Sequence, residues 1–174
     1  MAFEEIEVKI LEVNRPEVEA RIRQLGGKLT FDDEMIAWFL DDERGSIKSK
    51  GDVLRLRKEG EETVLTYKKH VSRGEAKIME ETETVVSHAE QTLDIFTSLG
   101  YQIIKITHKH RTQYDLGDVH VVFDNYKGDL ADIPEFIEVE APGMEKLESV
   151  VKQLGFSMKD CNNWSTRELV KHYL

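Results

Sequence analysis

Near its start the 174-residue chain reads Glu5-Ile6-Glu7-Val8-Lys9, in which charged and branched apolar residues alternate. Residues two apart in a β-strand point to the same face, so this stretch predicts a strand with one apolar and one charged face. Similar alternation returns in five later segments, which are Arg55-Leu56-Arg57, Thr66-Tyr67-Lys68, Glu81-Thr82-Glu83, Lys109-His110-Arg111 and Glu138-Val139-Glu140. Their recurrence predicts a sheet that curls around its charged face and forms a pocket for a highly charged ligand.

The predicted elements fall into two similar halves. A strand over 3–12 leads to a helix that Asn14 caps, and a strand over 77–86 leads to a helix that a Ser87–Glu90 capping box opens. Three further strands follow each helix, near 33–40, 52–59 and 62–70, and near 101–114, 118–125 and 134–141. Two βαβββ units indicate an α+β fold whose eight strands can close into a small barrel.

Two more helices are predicted after the second unit. Met144, Leu147, Val151 and Leu154 recur at helical spacing, and Ser165-Thr166-Arg167-Glu168 has the form of a capping box that opens a short C-terminal helix. Neither a long linker nor a low-complexity tract divides the chain. Residues 1–174 are therefore expected to form a single domain.

The composition of the chain indicates its expected cellular location and the classes of partner it can bind. Charged residues make up 33% and hydrophobic residues 40% of the chain, which is typical of a globular protein. No apolar run reaches the roughly 20 residues of a membrane span, and Cys161 is a lone cysteine, so a cytoplasmic protein without membrane contacts is expected. A net charge of −10 argues against nucleic acid as a partner, but not against a small anion held by a few enclosed basic residues.

The charged faces of the predicted strands carry both acids and bases. The acids are Glu5, Glu7, Glu81, Glu83, Asp124, Glu138 and Glu140, and the bases are Lys9, Arg55, Arg57, Lys68, Lys109 and Arg111. Carboxylates are hard ligands that suit Mg²⁺ or Mn²⁺, whereas guanidinium and ammonium groups suit phosphate oxygens. Enclosed charges must be hydrated, paired or occupied by a ligand, and the two sets together fit a metal–polyphosphate complex.

A simpler interpretation is that each charged face meets solvent on an open antiparallel sheet. Recurrence along the chain, with acids and bases on separate strands, favours the enclosed pocket instead. The sequence lacks a phosphate-binding P-loop, a dinucleotide-binding glycine motif, a G-x-S-x-G nucleophile motif and an H-E-x-x-H zinc motif. None of these four chemistries is therefore expected.

The ordered motifs resemble the CYTH superfamily, also called triphosphate tunnel metalloenzymes. Glu5-Ile6-Glu7-Val8-Lys9 has the form of that family's E-x-E-x-K signature, and the later charged segments match its further motifs in order. Length and Ser165-Thr166-Arg167-Glu168-Leu169 are most similar to the class IV adenylyl cyclase-like and thiamine triphosphatase-like branch, although Thr166 replaces a tyrosine. The resemblance implies a closed eight-stranded antiparallel tunnel with helices packed outside.

The resemblance also implies roles for the charged residues. Phosphate binding would fall to Lys9, Arg55, Arg57, Lys68, Lys109 and Arg111. Metal binding would fall to Glu5, Glu7, Glu81, Glu83, Asp124, Glu138 and Glu140, and catalysis to Lys9, Glu7 and Glu140. Expected activities are conversion of ATP to cyclic AMP and pyrophosphate, or hydrolysis of tripolyphosphate, thiamine triphosphate or nucleoside triphosphates. A non-catalytic polyphosphate- or nucleotide-binding barrel is the alternative, and a homodimer stays open.

Overall fold

The computed structural model describes residues 3–174 and has eight strands in one closed antiparallel barrel. The strands are β1 (Phe3–Ile10), β2 (Lys28–Asp42), β3 (Val53–Glu59), β4 (Glu62–Arg73), β5 (Lys77–Val86), β6 (Tyr101–Leu116), β7 (Val119–Lys127) and β8 (Phe136–Ala141). They follow the order β5-β4-β3-β2-β6-β7-β8-β1, and pairing of β1 with β5 closes the circle. The predicted α+β barrel is confirmed, and the open solvated sheet is excluded.

Five helices accompany the barrel, namely α1 (Arg15–Gln24), α2 (Ser46–Ser49), α3 (Ala89–Ser98), α4 (Met144–Gln153) and α5 (Thr166–Tyr173). Apart from the four-residue α2 between β2 and β3, the order β1-α1-β2-β3-β4 recurs as β5-α3-β6-β7-β8, which confirms the two predicted halves. A two-residue strand, β9 (Cys161–Asn162), pairs with the end of β1 and was not predicted. In the part of the chain described, no helix combines the length and the apolarity that crossing a membrane requires.

Two of the three predicted helix caps are present. The Asn14 side chain accepts from the Glu17 backbone N–H at 3.3 Å, and Ser165 with Glu168 forms the capping box of α5. The predicted box at Ser87 is wrong, because His88 occupies the N-cap position of α3 without a side-chain cap bond. Ser87 therefore lies one residue too early to cap this helix.

The main hydrophobic core lies outside the barrel wall, on one side. Helices α1 and α4 pack against the outward faces of β1, β7 and β8, where Val8, Ile22, Phe123, Leu147 and Leu154 are fully buried. A second cluster joins α5 to the barrel through Tyr126, Ile133, Phe136 and Leu169. Since strand side chains alternate between faces, burying the apolar face outside turns the charged face into the bore.

Helix α3 is an exception among the longer helices. Its apolar residues recur at helical spacing, yet the helix contributes no buried residue, and Ile95 is 60% exposed. The core therefore occupies the side of the barrel that α1 and α4 cover.

Candidate active site in the barrel

The barrel encloses a cavity of about 1140 Å³. Register explains why charged residues line it, because β1 pairs with β8 so that Glu7 lies opposite Glu140 and Lys9 lies opposite Glu138. The predicted site residues among its lining are Glu5, Glu7, Lys9, Arg55, Arg57, Lys68, Glu81, Glu83, Lys109, Arg111, Glu138 and Glu140. The structure thus brings these twelve residues together in one enclosure, although they come from six different strands.

Three of the acids converge into a cluster, here called the acidic trio. Carboxylate oxygens of Glu5, Glu7 and Glu140 all lie within 4.8 Å of one another. Burial, and next the Glu5 carboxylate, raise the pKa of Glu140 to about 7. Carboxylate oxygens crowded at this spacing are the donor set that Mg²⁺ or Mn²⁺ prefers, so the residues present fit a divalent ion.

Lysines stand beside two members of the acidic trio. Burial disfavours the charged form of Glu7, but the Lys9 and Lys77 cations outweigh it and hold the pKa of Glu7 at about 2. Lys68 contacts Glu5, and its Nζ also lies 2.8 Å from Glu81 Oε2. Burial nevertheless leaves the pKa of Glu5 raised, so negative charge at the trio is only partly offset.

Lys9 is held as an ammonium ion by two acids. Its Nζ lies 2.7 Å from Glu138 Oε1 and 3.6 Å from Glu7 Oε1. Burial alone would lower the pKa of Lys9, but the Glu138 and Glu7 carboxylates raise it above the ordinary value. A lysine in this environment can donate hydrogen bonds but is poorly suited to accept a proton.

Two basic residues of β6, Lys109 and Arg111, both donate to the buried carboxylate of Asp124. Arg111 donates to Asp124 through Nε at 2.8 Å and Nη2 at 2.6 Å, and also to Glu138 at 2.9 Å. Lys109 Nζ donates to Asp124 at 2.5 Å, while burial and next the Arg111 charge lower the pKa of Lys109 to about 8. Asp124 is completely buried behind the cavity lining, and both its oxygens have cation partners.

The basic residues of β3 are less well paired. Nε and Nη2 of Arg55 are buried and lack a hydrogen-bond partner within residues 3–174. Arg57 contacts Glu59, yet burial, followed by repulsion from Arg55 and Arg111, lowers the pKa of Arg57 to about 9. Positive charge therefore accumulates here, and an anion entering the bore would relieve it.

Two contacting residues were missed by the sequence analysis. Lys77 Nζ donates to Glu7 Oε1 at 2.8 Å, and Glu59 pairs with Arg57. Both could have been found by extending the alternation, because Lys77 shares the parity of Glu81 and Glu59 shares that of Arg57. They were missed because the charged segments were taken as Arg55–Arg57 and Glu81–Glu83, which stop short of both positions.

Comparisons with known proteins agree with this arrangement. The sequence profile of the CYTH domain matches residues 4–161. No curated protein is significantly similar in sequence. Among solved structures, a candidate adenylate cyclase from Vibrio parahaemolyticus superposes with a TM-score of 0.81 at 18% identity, covering 98% of this chain and 99% of that one.

Two further structures share the fold. The PH1012 protein from Pyrococcus horikoshii has a TM-score of 0.78 at 22% identity, over 95% of this chain and 98% of that chain. A candidate adenylyl cyclase from Hippeastrum, described as having a dominant triphosphatase activity, has a TM-score of 0.63 at 15% identity, over 99% of this chain and 96% of that one. The profile match over most of the sequence, together with a charged bore in a closed barrel, shows that this chain belongs to the CYTH domain family.

Proposed function

We propose that this protein is a divalent-metal-dependent enzyme that cleaves triphosphates inside its barrel. The observation that carries the proposal is that one cavity holds both kinds of charge a metal–triphosphate complex needs. The acidic trio supplies three carboxylates within 4.8 Å, and Arg55 supplies a buried guanidinium without a partner in the described chain. A bore whose charges were all paired with one another would not leave such a guanidinium unmatched.

In this proposal, the chain's residues position the triphosphate and balance its charge. Arg55 and Arg57 donate hydrogen bonds to phosphate oxygens, and Lys68 adds a third cation at the same wall. Lys9, fixed between Glu138 and Glu7, donates a hydrogen bond and holds both carboxylates in place. Such positioning and charge stabilisation supply most of the rate enhancement in phosphoryl transfer.

The acidic trio would hold Mg²⁺ or Mn²⁺, with Glu138, Glu81 and Glu83 near it in the lining and Asp124 supporting it from behind. When bound, such an ion supplies positive charge beside the phosphates and lowers the pKa of an oxygen nucleophile.

The same bore can support two reactions. In hydrolysis, a water oxygen forms a bond to the terminal phosphorus while the bridging P–O bond breaks, which gives phosphate and a shortened substrate. In cyclisation, the ribose 3′-oxygen of ATP bonds to the α-phosphorus, its proton is lost, and pyrophosphate leaves with the electron pair. The outcome depends on which phosphorus faces the nucleophile, so products must be identified to choose between the two.

A product assay tests the proposal. The enzyme is incubated with ATP, tripolyphosphate or thiamine triphosphate and with Mg²⁺ or Mn²⁺, and cyclic AMP, pyrophosphate and phosphate are quantified. We expect turnover of at least one substrate, loss of turnover with a chelator, and recovery when the metal is returned. Absence of turnover for all three with both metals would contradict the proposal.

Matched variants separate catalysis from mere binding. Glu140→Gln removes a charge from the acidic trio and should abolish turnover. Glu80→Gln makes the same change on the exposed outer face of β5 and should leave turnover unchanged. If wild type binds triphosphates without turnover and Glu140→Gln changes only the affinity, the non-catalytic binding barrel is the correct function instead.

A further inference from the structure

A histidine lies beside the acidic trio in the wall of the bore. His120 is on β7, pairs with Glu140 of β8, and lines the cavity. Glu140 in turn pairs with Glu7 of β1, so the three residues form one row across adjacent strands. Directly opposed residues in an antiparallel pair have Cβ atoms about 4.5–5.5 Å apart. His120 is thus only one strand away from the acidic trio.

One edge of the imidazole is fixed by a carboxylate on the neighbouring strand. Asp115 of β6 pairs with His120, and its Oδ1 lies 2.6 Å from His120 Nδ1. Gln113 Nε2 donates to the same Asp115 oxygen at 3.0 Å and lies 3.2 Å from His120 Nδ1. Burial alone would raise the pKa of Asp115, but hydrogen bonds from Gln113 and His120 outweigh burial and leave that pKa lowered. Asp115 is therefore a carboxylate that can only accept, so His120 Nδ1 donates to it.

This hydrogen bond determines what the other ring nitrogen can do. In a neutral imidazole one nitrogen carries the proton and the other accepts, so a proton on Nδ1 leaves a lone pair on Nε2. His120 Nε2 has no hydrogen-bond partner within residues 3–174. The two nitrogens lie on different edges of the ring, and Nδ1 faces Asp115 on β6. Nε2 is therefore the nitrogen that remains available to a molecule in the bore.

Other groups near the acidic trio are poorly suited to accept a proton. Lys9 is held as an ammonium ion by two carboxylates. Burial would raise the pKa of Glu7, but Lys9 and Lys77 outweigh burial and hold that pKa at about 2. Glu140 belongs to the set that would hold the metal ion. The His120 side chain, by contrast, has an open nitrogen and is 40% exposed, so a proton that it accepts can leave to solvent.

We propose that His120 is the general base of the reaction and that Asp115 is its positioning residue. This inference rests on the proposed function and assigns the proton transfer within it. His120 Nε2 accepts the proton of the attacking oxygen while that oxygen forms its bond to phosphorus. The bridging P–O bond breaks, its electron pair goes to the leaving group, and the proton then passes from Nε2 to solvent.

The test compares two histidines that each contact an aspartate. His120→Gln keeps a hydrogen-bonding side chain in the bore but supplies no basic nitrogen. His110→Gln makes the same change on the outer face of β6, where His110 contacts Asp32. Both variants are assayed for kcat and KM in Mg²⁺, on whichever of ATP, tripolyphosphate and thiamine triphosphate wild type cleaves. Mn²⁺ titration followed by electron paramagnetic resonance measures metal affinity without substrate.

The expected result is a loss confined to kcat. His120→Gln should lower kcat roughly 100- to 10,000-fold, the usual contribution of general acid–base catalysis, while KM and Mn²⁺ affinity stay within about threefold. His110→Gln should leave all three values as in wild type. His120→Ala leaves space where the ring was, so added imidazole should restore part of its kcat and should not raise that of wild type. Circular dichroism checks that each variant is folded.

The role of Asp115 is tested through its partner. Asp115→Asn presents an amide that can donate to Nδ1 and thereby favour the wrong tautomer of His120, so kcat should fall while KM is retained. The double variant Asp115→Asn/His120→Gln should be no slower than His120→Gln alone, because the two residues act as one unit. Additive losses would show that Asp115 acts independently of His120 and would overturn its positioning role.

Other outcomes separate this inference from the proposed function. The base would not be His120 if His120→Gln kept kcat within about threefold of wild type, or if folded His120→Ala gained nothing from imidazole. A fall in Mn²⁺ affinity as large as the fall in kcat would also overturn it, since His120 would then support the metal site. Each of these results leaves a triphosphate enzyme standing. Absence of wild-type turnover with every triphosphate would instead contradict the proposed function itself.

Discussion

The basic residues of β3 and β6 line the same bore, but they differ in their carboxylate partners. On β6, Arg111 donates to both Asp124 and Glu138, and Lys109 shares Asp124. On β3, Arg55 has two buried nitrogens without a partner inside the described range, and the Arg57 pKa falls to about 9. We therefore propose different roles for the two strands: the paired cations of β6 stabilise the barrel wall, and the cations of β3 are available to bind an anionic ligand.

The largest expected effect comes from breaking the paired side. Arg111→Met should lower the free energy of unfolding by about 3–5 kcal/mol, because Asp124 and Glu138 would remain buried with less compensation. Urea unfolding of the ligand-free protein measures this loss, with Arg55→Met as the matched variant. A loss below about 1 kcal/mol for Arg111→Met would mean that the pairing on β6 contributes no more than an exposed ion pair.

The next effect concerns the unpaired side. Arg55→Ala should weaken tripolyphosphate binding roughly ten- to 100-fold, as expected for losing charged hydrogen bonds, without lowering the free energy of unfolding. Isothermal titration in Mg²⁺ measures the affinity. Arg55→Lys, which retains the charge but loses the planar fork, should give an intermediate value. An unchanged affinity in Arg55→Ala would show that the phosphates bind elsewhere in the bore.

A third comparison contrasts two acids, Asp124, which binds the cations of β6, and Glu140, which belongs to the acidic trio. Asp124→Asn should cost about 1–3 kcal/mol of stability, because Lys109 and Arg111 lose a charged acceptor, and should change Mn²⁺ affinity little. Glu140→Gln should instead weaken Mn²⁺ binding and leave stability nearly unchanged. Mn²⁺ titration followed by electron paramagnetic resonance distinguishes them. A strong Mn²⁺ defect in Asp124→Asn would place Asp124 directly on the metal.

The smallest expected effect concerns His110, which lies on the outer face of β6 between Lys109 and Arg111. His110 Nε2 lies 2.9 Å from Asp32 Oδ1, and this hydrogen bond is the main reason that the pKa of His110 is raised. Its stabilising contribution is therefore complete below the unfolded pKa of about 6.5 and is lost as pH rises through the folded pKa. Because the pair is largely exposed, the loss should be only about 0.2–1 kcal/mol.

The free energy of unfolding, measured at acidic and at alkaline pH, tests whether stability falls as the pH rises. Wild type should lose slightly more stability on alkalinisation than His110→Gln, which cannot carry the charge. A larger loss of stability in His110→Gln than in wild type would contradict this pH dependence.

Alternation along single strands predicted most of the charged residues that line the cavity. Because Glu7 and Glu140 each stand among apolar neighbours at strand spacing, their inward direction followed from the same rule that buries Val8 and Val139 outside. Pairing of β1 with β8 in the closed barrel places the two residues opposite each other. The recurring charged faces had predicted that the sheet closes. The inward face of a strand is thus a local property that the residues themselves determine.

Pairing between strands could not be predicted in the same way. Whether Arg111 or Arg55 meets a carboxylate depends on register across the sheet, and that register is set by contacts between distant residues. The surface position of α3 has a similar origin, since its apolar spacing is ordinary but the core lies on the other side of the barrel. Neither feature follows from the residues of a single strand or helix.

Strand β1 has a further consequence for how activity arises. It carries two members of the acidic trio and pairs both with β5, at mid-chain, and with β8, near the other end of the sequence. Such distant pairings form late and slowly, since a long loop must close before any contact repays its entropy. Metal affinity should consequently appear in a single kinetic phase with the last step of refolding, and a chain that ends before β8 should lack the metal affinity of the acidic trio.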